Sequence, residues 1–242
     1  MVFLHKIAWS VFCSPIFFEK VLKYMNKFIL GIVFCFGSLA QSYASPNDSI
    51  STHYNNGEFI TYSQVLVDVP KDIMNNVLDD FIFQSKYDLD ELFKWALVGM
   101  KLRNEQDDII VFNMKSTLYD KKTNVIKSIN DVNVPNIINF PNIQLNSRMI
   151  KTLQEDGNTK LNIDVLYSDA FLKKTNGYFK IVPIDNKSCY VKLETRVQFG
   201  WFFNFFINQI SYKYIMEWRF KKILDNVCKE AERRTKLISN AK

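Results

Sequence analysis

Histidine is almost missing from this chain: 242 residues contain two. His5 lies in the leader described below, and His53 lies in the polar stretch "SPNDSISTHYNNGE". Without a histidine among apolar segments, a Ser-His-Asp hydrolase and the usual His-containing zinc sites are excluded. There is no Gly-rich phosphate loop, GxSxG, HExxH or CxxC. Seven glycines are few, while 21 Phe and 11 Tyr are many. Carboxylate chemistry stays open because Asp and Glu are common, but no pair of them stands out. No catalytic residue, metal site or cofactor is predicted.

An uninterrupted apolar run long enough for a membrane span, ~20 residues, is missing too. "MNKFILGIVFCFGSLAQSYA", residues 25–44, has a basic start at Lys27 and a short apolar core. It ends in the small-x-small sites Ser38-Leu39-Ala40 and Ser42-Tyr43-Ala44, the form of a secretory signal. Cleavage is expected after Ala44, or alternatively after Ala40, in a periplasmic or secreted protein; the other reading is a retained N-terminal anchor. Residues 1–24 carry no usable pattern and read as a non-native upstream extension, with Met25 the first residue. Residues 45–57 read as a flexible lead-in.

Loss of Lys6, Lys20, Lys23, Lys27 and Glu19 with the leader lowers the formal net charge from +6 to +3. So small and scattered an excess excludes nucleic acid as a partner. Cys189 and Cys228 remain, either as a disulfide or as two buried thiols.

What is present is a change of period. "FITYSQVLVDV", residues 59–69, alternates as a strand does and ends at Pro70. Ile73, Met74, Val77, Leu78 and Phe81 then follow helical spacing, and Pro70 suits a helix start. A second helix opens at Asp88 and Glu91, a capping box, with its apolar face running from Leu89 to Met100. Six strands are predicted at about 108–119, 122–132, 142–155, 159–168, 176–184 and 188–200, separated by turn-like stretches such as "VPNIINFPN", "EDGN" and "KKTNG". One face collects Ile110, Phe112, Met114, Leu118, Ile143, Leu145, Met149, Leu153, Leu161, Ile163, Val165 and Tyr167. It continues through Phe179, Ile181, Val191, Leu193, Val197 and Phe199. A sheet apolar on one side and polar on the other is antiparallel and needs a cover.

"FGWFFNFFINQISYKYIMEWRF", residues 199–220, leads into that cover. From Met216 an apolar stripe runs through Phe220, Ile223, Leu224, Val227, Ala231 and Ile238, opposite a charged side. Residues 199–210 are too short and too polar to cross a bilayer.

The order strand, helix, helix, six strands, long helix resembles the START-like helix-grip superfamily, also called SRPBCC or polyketide-cyclase-like, over residues 58–238. Three stretches carry the resemblance: "LVDVPKDIMNNVLDDF", "NGYFKIVPIDNKSCYVKLETRVQFG" and "FGWFFNFFINQISYKYIMEWRFKKIL". "NSRMI", 146–150, is faintly similar to an Arg-containing strand of START lipid-transfer domains. The usual Gly/Pro-rich linker before the last helix is replaced by "WFFNFFIN". The implied fold is α+β, a curved seven-stranded antiparallel sheet (β-α-α-β6-α) around a long C-terminal helix. The implied function is holding a small hydrophobic molecule, such as a lipid, sterol, quinone or polyketide, between sheet and helix. Expected lining residues are Phe112, Met114, Met149, Lys151, Tyr167, Phe179, Phe199, Trp201, Phe205 and Phe220. Trp201, Phe202, Phe205 and Phe206 are placed at the mouth, in transient contact with a membrane surface. Two other readings stay open: a non-catalytic interaction domain with a filled core, and a cyclase or aromatase.

Overall fold

The structure is a computed structural model, and residues 49–103, 111–134, 138–169, 172–201 and 207–240 are described. The chain divides between Tyr43 and Ala44, and every described residue belongs to the second unit.

That unit begins with strands β1 (Ser49–Asn55) and β2 (Glu58–Val67), then helices α1 (Lys71–Tyr87) and α2 (Leu89–Trp95). Strands β3 (Val111–Asp120), β4 (Val125–Val134), β5 (Ile138–Leu153), β6 (Thr159–Ser168), β7 (Leu172–Pro183) and β8 (Cys189–Phe199) follow, and helix α3 (Gln209–Asn240) closes the chain. All eight strands form one sheet in the order β1-β2-β8-β7-β6-β5-β4-β3, with every described pairing antiparallel. The helix-grip order is present.

Eight strands replace the expected seven. The extra one is β1, inside the stretch read as a flexible lead-in. Asn56 and Gly57 take φ of 50° and 81°, the double left-handed turn that two-residue hairpins require, and Asn55 pairs with Glu58. The polar sequence of β1 hid it, although Thr52 is buried and hydrogen-bonds Thr61 between side-chain oxygens at 3.1 Å.

Helix starts follow the signals. Pro70 sits at the N-cap of α1, and its carbonyl accepts from the N–H groups of Ile73 and Met74 at 3.1 and 3.2 Å. The Asp88 side chain caps α2, accepting from the Glu91 N–H at 3.0 Å. Asn208 does the same for α3, accepting from the Ile210 N–H at 2.8 Å.

Bulges account for most departures from simple alternation, because one extra residue reverses the faces of all that follow. In β3 the register shifts between Met114 and Ser116, so Leu118, expected inside, is exposed and Tyr119 turns toward α1. In β6 the shift skips Leu166, and Tyr167 pairs with Asn146 on the outer face. "VPNIINFPN" and "KKTNG" are not simple breaks. Pro141 and Asn142 (φ 58°) form a bulge within β5 opposite Asp131, and Lys173–Gly177 runs inside β7. Leu153 and Ile238, also expected inside, lie exposed at element ends.

The core has two main parts. The first joins Val67, Met74, Val77, Leu161, Phe179, Ile181, Val191, Phe220, Leu224 and Val227 across α1, α3 and the sheet. The second gathers Phe59, Val132, Ile143, Val197, Phe199 and Tyr212 near the start of α3. Val132 on β4 shares this part with Phe59 on β2 although four strands lie between them in the sheet order; only a curved sheet brings them together. Cys189 and Cys228 are buried in the first part and form no disulfide.

Candidate ligand site between sheet and helix

A cavity of about 40 Å³ lies where α1, α3 and the sheet meet, lined by Val77, Leu78, Phe81, Ile163, Phe179, Leu193, Ile223 and Val227. Every lining residue is apolar. Cross-strand registers set the wall: Leu161 faces Phe179, and Phe179 faces Leu193. The α1 side follows from helical spacing, since Val77, Leu78 and Phe81 share one face.

The predicted lining residues separate into groups. Phe179 lines the cavity, while Met149 and Phe220 belong to the surrounding core. Phe199 is buried in the second part of the core, with its ring 5.6 Å from that of Tyr212. Met114 is half-buried outside both parts. Lys151 takes the inward register, opposite the fully buried Leu161, but its ammonium reaches Asp79 of α1 at 2.7 Å and lines no cavity. Tyr167 is a correction. The bulge places it outside, where its hydroxyl donates to Asp169, and that hydrogen bond raises its pKa above the ordinary phenol value. Trp201 is 74% exposed and is not among the residues lining the cavity. Phe112 lies in β3 opposite Val132, but its side chain is outside the described residues, as are Phe202, Phe205 and Phe206 entirely. Val77, Leu78 and Phe81 of α1 carried helical periodicity in the sequence but no mark of a ligand site.

Small polar residues lie between the two parts of the core. Thr61 and Ser63 on β2 are fully buried on the helix-facing side. Thr61 faces Thr195 of β8, and Ser63 faces Leu193 of the cavity wall. Beyond them Tyr212 packs against Phe59, ring centroids 4.1 Å apart, and burial lifts its phenol far above the ordinary range. Met216, one turn later, packs against both parts of the core.

Among the described residues, no three His, Cys, Asp or Glu side chains gather as metal ligands would. No described helix is long and apolar enough to cross a membrane. Burial pushes the Cys189 thiol up to about 11, which keeps it protonated and unreactive near neutral pH.

No family model matches the chain, and no curated protein does. Solved structures with similar arrangements include a START superfamily protein from Mycobacterium smegmatis, at 10% identity and TM-score 0.45, covering 72% of this chain and 97% of that one. A STAR-related lipid transfer protein from Xanthomonas axonopodis is similar at 12% identity and TM-score 0.47, covering 81% and 98%. The Zhui aromatase/cyclase from Streptomyces sp. R1128 is similar at 14% identity and TM-score 0.44, covering 74% and 96%. The element order, the antiparallel pairing and the helix closing over the curved sheet make this a START-like helix-grip fold.

Proposed function

We propose that the protein is a secreted or periplasmic binding protein that holds a small hydrophobic molecule between the sheet and α3. The observation that carries this reading is the apolar-lined void of about 40 Å³ at the junction of α1, α3 and the sheet. Burying apolar surface contributes ~25 cal/mol per Å², so a lipid chain needs no charged contact to be retained there. A pocket for a small molecule measures roughly 300–1,000 Å³, so occupancy requires α1 or α3 to move off the sheet. The polar ties of α3 to its surroundings are local. Asn226 donates to the carbonyls of Ala96 and Val98 at 2.9 and 3.0 Å, and Arg234 pairs with Asp80 at 2.7 Å. These hold its middle and C-terminal half.

The smallness of the void supports a second reading: a filled interaction domain whose exposed aromatics meet a membrane or a protein. Trp201, Ile210 and Tyr214, each at least 66% exposed near the start of α3, are the surface it would use.

Native mass spectrometry with lipid extraction, on protein secreted from Met25 by its own leader, tests both. The expected result is a hydrophobic molecule at near-stoichiometric amount on a chain beginning at Ser45. An empty chain that also takes up neither a fluorescent fatty acid nor a fluorescent sterol would overturn the binding reading in favour of the second.

A further inference from the structure

Three lysines stand side by side on the face of the sheet turned away from α3. Lys160 of β6 faces Lys180 of β7, and Lys180 faces Lys192 of β8. Their sequence neighbours Leu161, Phe179, Ile181, Val191 and Leu193 are buried in the first part of the core, so alternation puts all three lysines outside. Adjacent strands run roughly 5 Å apart, which makes the row roughly 10 Å long. Gln64 and Thr152, both uncharged, end it on β2 and β5.

Like charges directly opposite one another destabilise a sheet, and the carboxylates beside these offset little of it. Asp156 lies 3.9 Å from Lys180, the outer limit of an ion pair, and its side chain is 56% exposed. Glu194, a diagonal neighbour of Lys180, is held by Arg196 at 2.8 Å and by the Tyr178 hydroxyl at 3.1 Å. Lys160 and Lys192 make no ion pair among the described residues. Their ammonium groups lie 4.7 and 6.0 Å from the ring centroids of Tyr178 and Tyr190. Three cations are thus spread among tyrosines on the convex side of a curved sheet, against their own repulsion.

The composition of the row selects its partner. Lysine attracts an anion as a point charge and does not fix its geometry as a forked arginine does, which suits a surface whose charges move sideways. Protein interfaces are depleted in lysine, whereas lysine beside tyrosine is what meets the headgroups of a bilayer. We infer that this face docks on a bilayer containing anionic phospholipids. Lys160, Lys180 and Lys192 face the lipid phosphates, with Tyr178 and Tyr190 beside them at headgroup level, and α3 faces away from the bilayer. The contact needs no molecule inside the protein, so it stands or falls apart from the binding reading.

The experiment measures co-sedimentation of the secreted protein with vesicles of phosphatidylcholine alone and of phosphatidylcholine mixed with phosphatidylglycerol. Each lysine near an anionic surface strengthens binding about fivefold, so the row is expected to give the mixed vesicles a preference on the order of 100-fold. That preference is expected to shrink as salt is added. The Lys160→Gln/Lys180→Gln/Lys192→Gln variant is expected to lose it and to melt no lower than the wild type, since the substitutions relieve repulsion. The three single variants, each expected to lose about fivefold, decide the question if the triple variant does not fold. Lys213→Gln/Lys221→Gln/Lys229→Gln removes the same charge from exposed positions on α3 and is expected to keep the preference. A wild type that binds both vesicles equally, or neither, overturns the inference. So does an equal loss in the α3 variant, which would make net charge the cause. A lower melting temperature in the first variant overturns it too, because the lysines would then stabilise the sheet and need no partner. Tighter binding to soluble polyglutamate than to the mixed vesicles would assign the row to an acidic protein instead of a bilayer.

Discussion

The two parts of the core are built on the same strands but by different rules. Around Leu161, Ile181 and Val191 the interior is aliphatic, with Val69, Met74 and Val77 of the α1 region also fully buried. Around Phe59, Phe199 and Tyr212 it is aromatic, and Thr61, Ser63 and Asn130 are buried beside it. Aliphatic packing fixes one end through many small contacts, although the void among Val77, Phe179 and Val227 lies within it. At the other end, buried unpartnered polar atoms lower the cost of separation, since opening lets water reach them. The difference teaches where such a grip would yield first: buried unpartnered polar atoms make the Tyr212 end the less costly one to separate.

The largest test strikes the anchored end. Phe179→Ala removes a buried ring from the cavity wall and is expected to cost ~3–5 kcal/mol, read by urea denaturation. It also enlarges the void enough to admit benzene or xenon, as apolar cavities of ~150 Å³ do. A loss below about 1 kcal/mol would mean that this end already collapses freely, and the contrast between the two ends would be gone.

A smaller effect separates satisfied from orphaned hydroxyls at the opening end. Thr52→Val leaves the fully buried Thr61 hydroxyl without its partner and is expected to cost ~1–3 kcal/mol. Ser63→Ala, on the same strand as Thr61, is expected to be near neutral because Ser63 Oγ has no partner to lose. Equal costs for the two substitutions would erase the distinction on which the polar band rests.

Most of the anchored end was legible in the sequence, and the opening end was not. Val77, Leu78, Leu161, Phe179, Ile181, Val191, Leu224 and Val227 follow undisturbed periods of 3.6 or 2, so their burial could be read directly. Helix starts at Pro70 and Asp88 were legible because capping chemistry is local. Leu118 and Tyr167 failed for one physical reason: a bulge reverses the faces beyond it, and nothing in "NMKSTLYD" or "DVLYSD" marks the extra residue. β1 was missed because its turn signal, Asn56-Gly57, stood beside a polar strand with a single inward aliphatic, Ile50. The reach of Lys151 to Asp79 spans 72 positions in the chain and has no sequence signature. The burial of Ser63 opposite Leu193 depends on the pairing of β2 with β8, strands far apart in the sequence.

A pH series sharpens the anchored end further. Burial raises the Cys189 thiol from 9.0 to about 11, so between those values the unfolded chain loses a proton that the folded one keeps. Folded stability therefore declines as pH rises from 9 toward 11, and this contribution is intact below 9. Cys189→Ala is expected to flatten the decline relative to wild type, measured as the urea midpoint at pH 8 and at pH 10.5. Matching declines in both proteins would show that the thiol is reached by solvent before unfolding, and the anchored end would then be looser than its packing implies.

The smallest effect is expected at Lys151, where sequence reasoning placed a ligand contact. Its pair with Asp79 joins β5 to α1 at 2.7 Å, but the carboxylate side chain is 56% exposed. Exposed pairs contribute ~0–1 kcal/mol and weaken with salt. Lys151→Met keeps most of the apolar stem over the edge of the core while removing the charge. It is expected to shift stability by less than about 1 kcal/mol, by an amount that shrinks as salt is added, and to leave sterol uptake unchanged. A several-fold loss of uptake with stability intact would place a ligand contact at Lys151, beside α1. The α1 end would then be the one that opens, reversing the roles assigned to the two parts of the core.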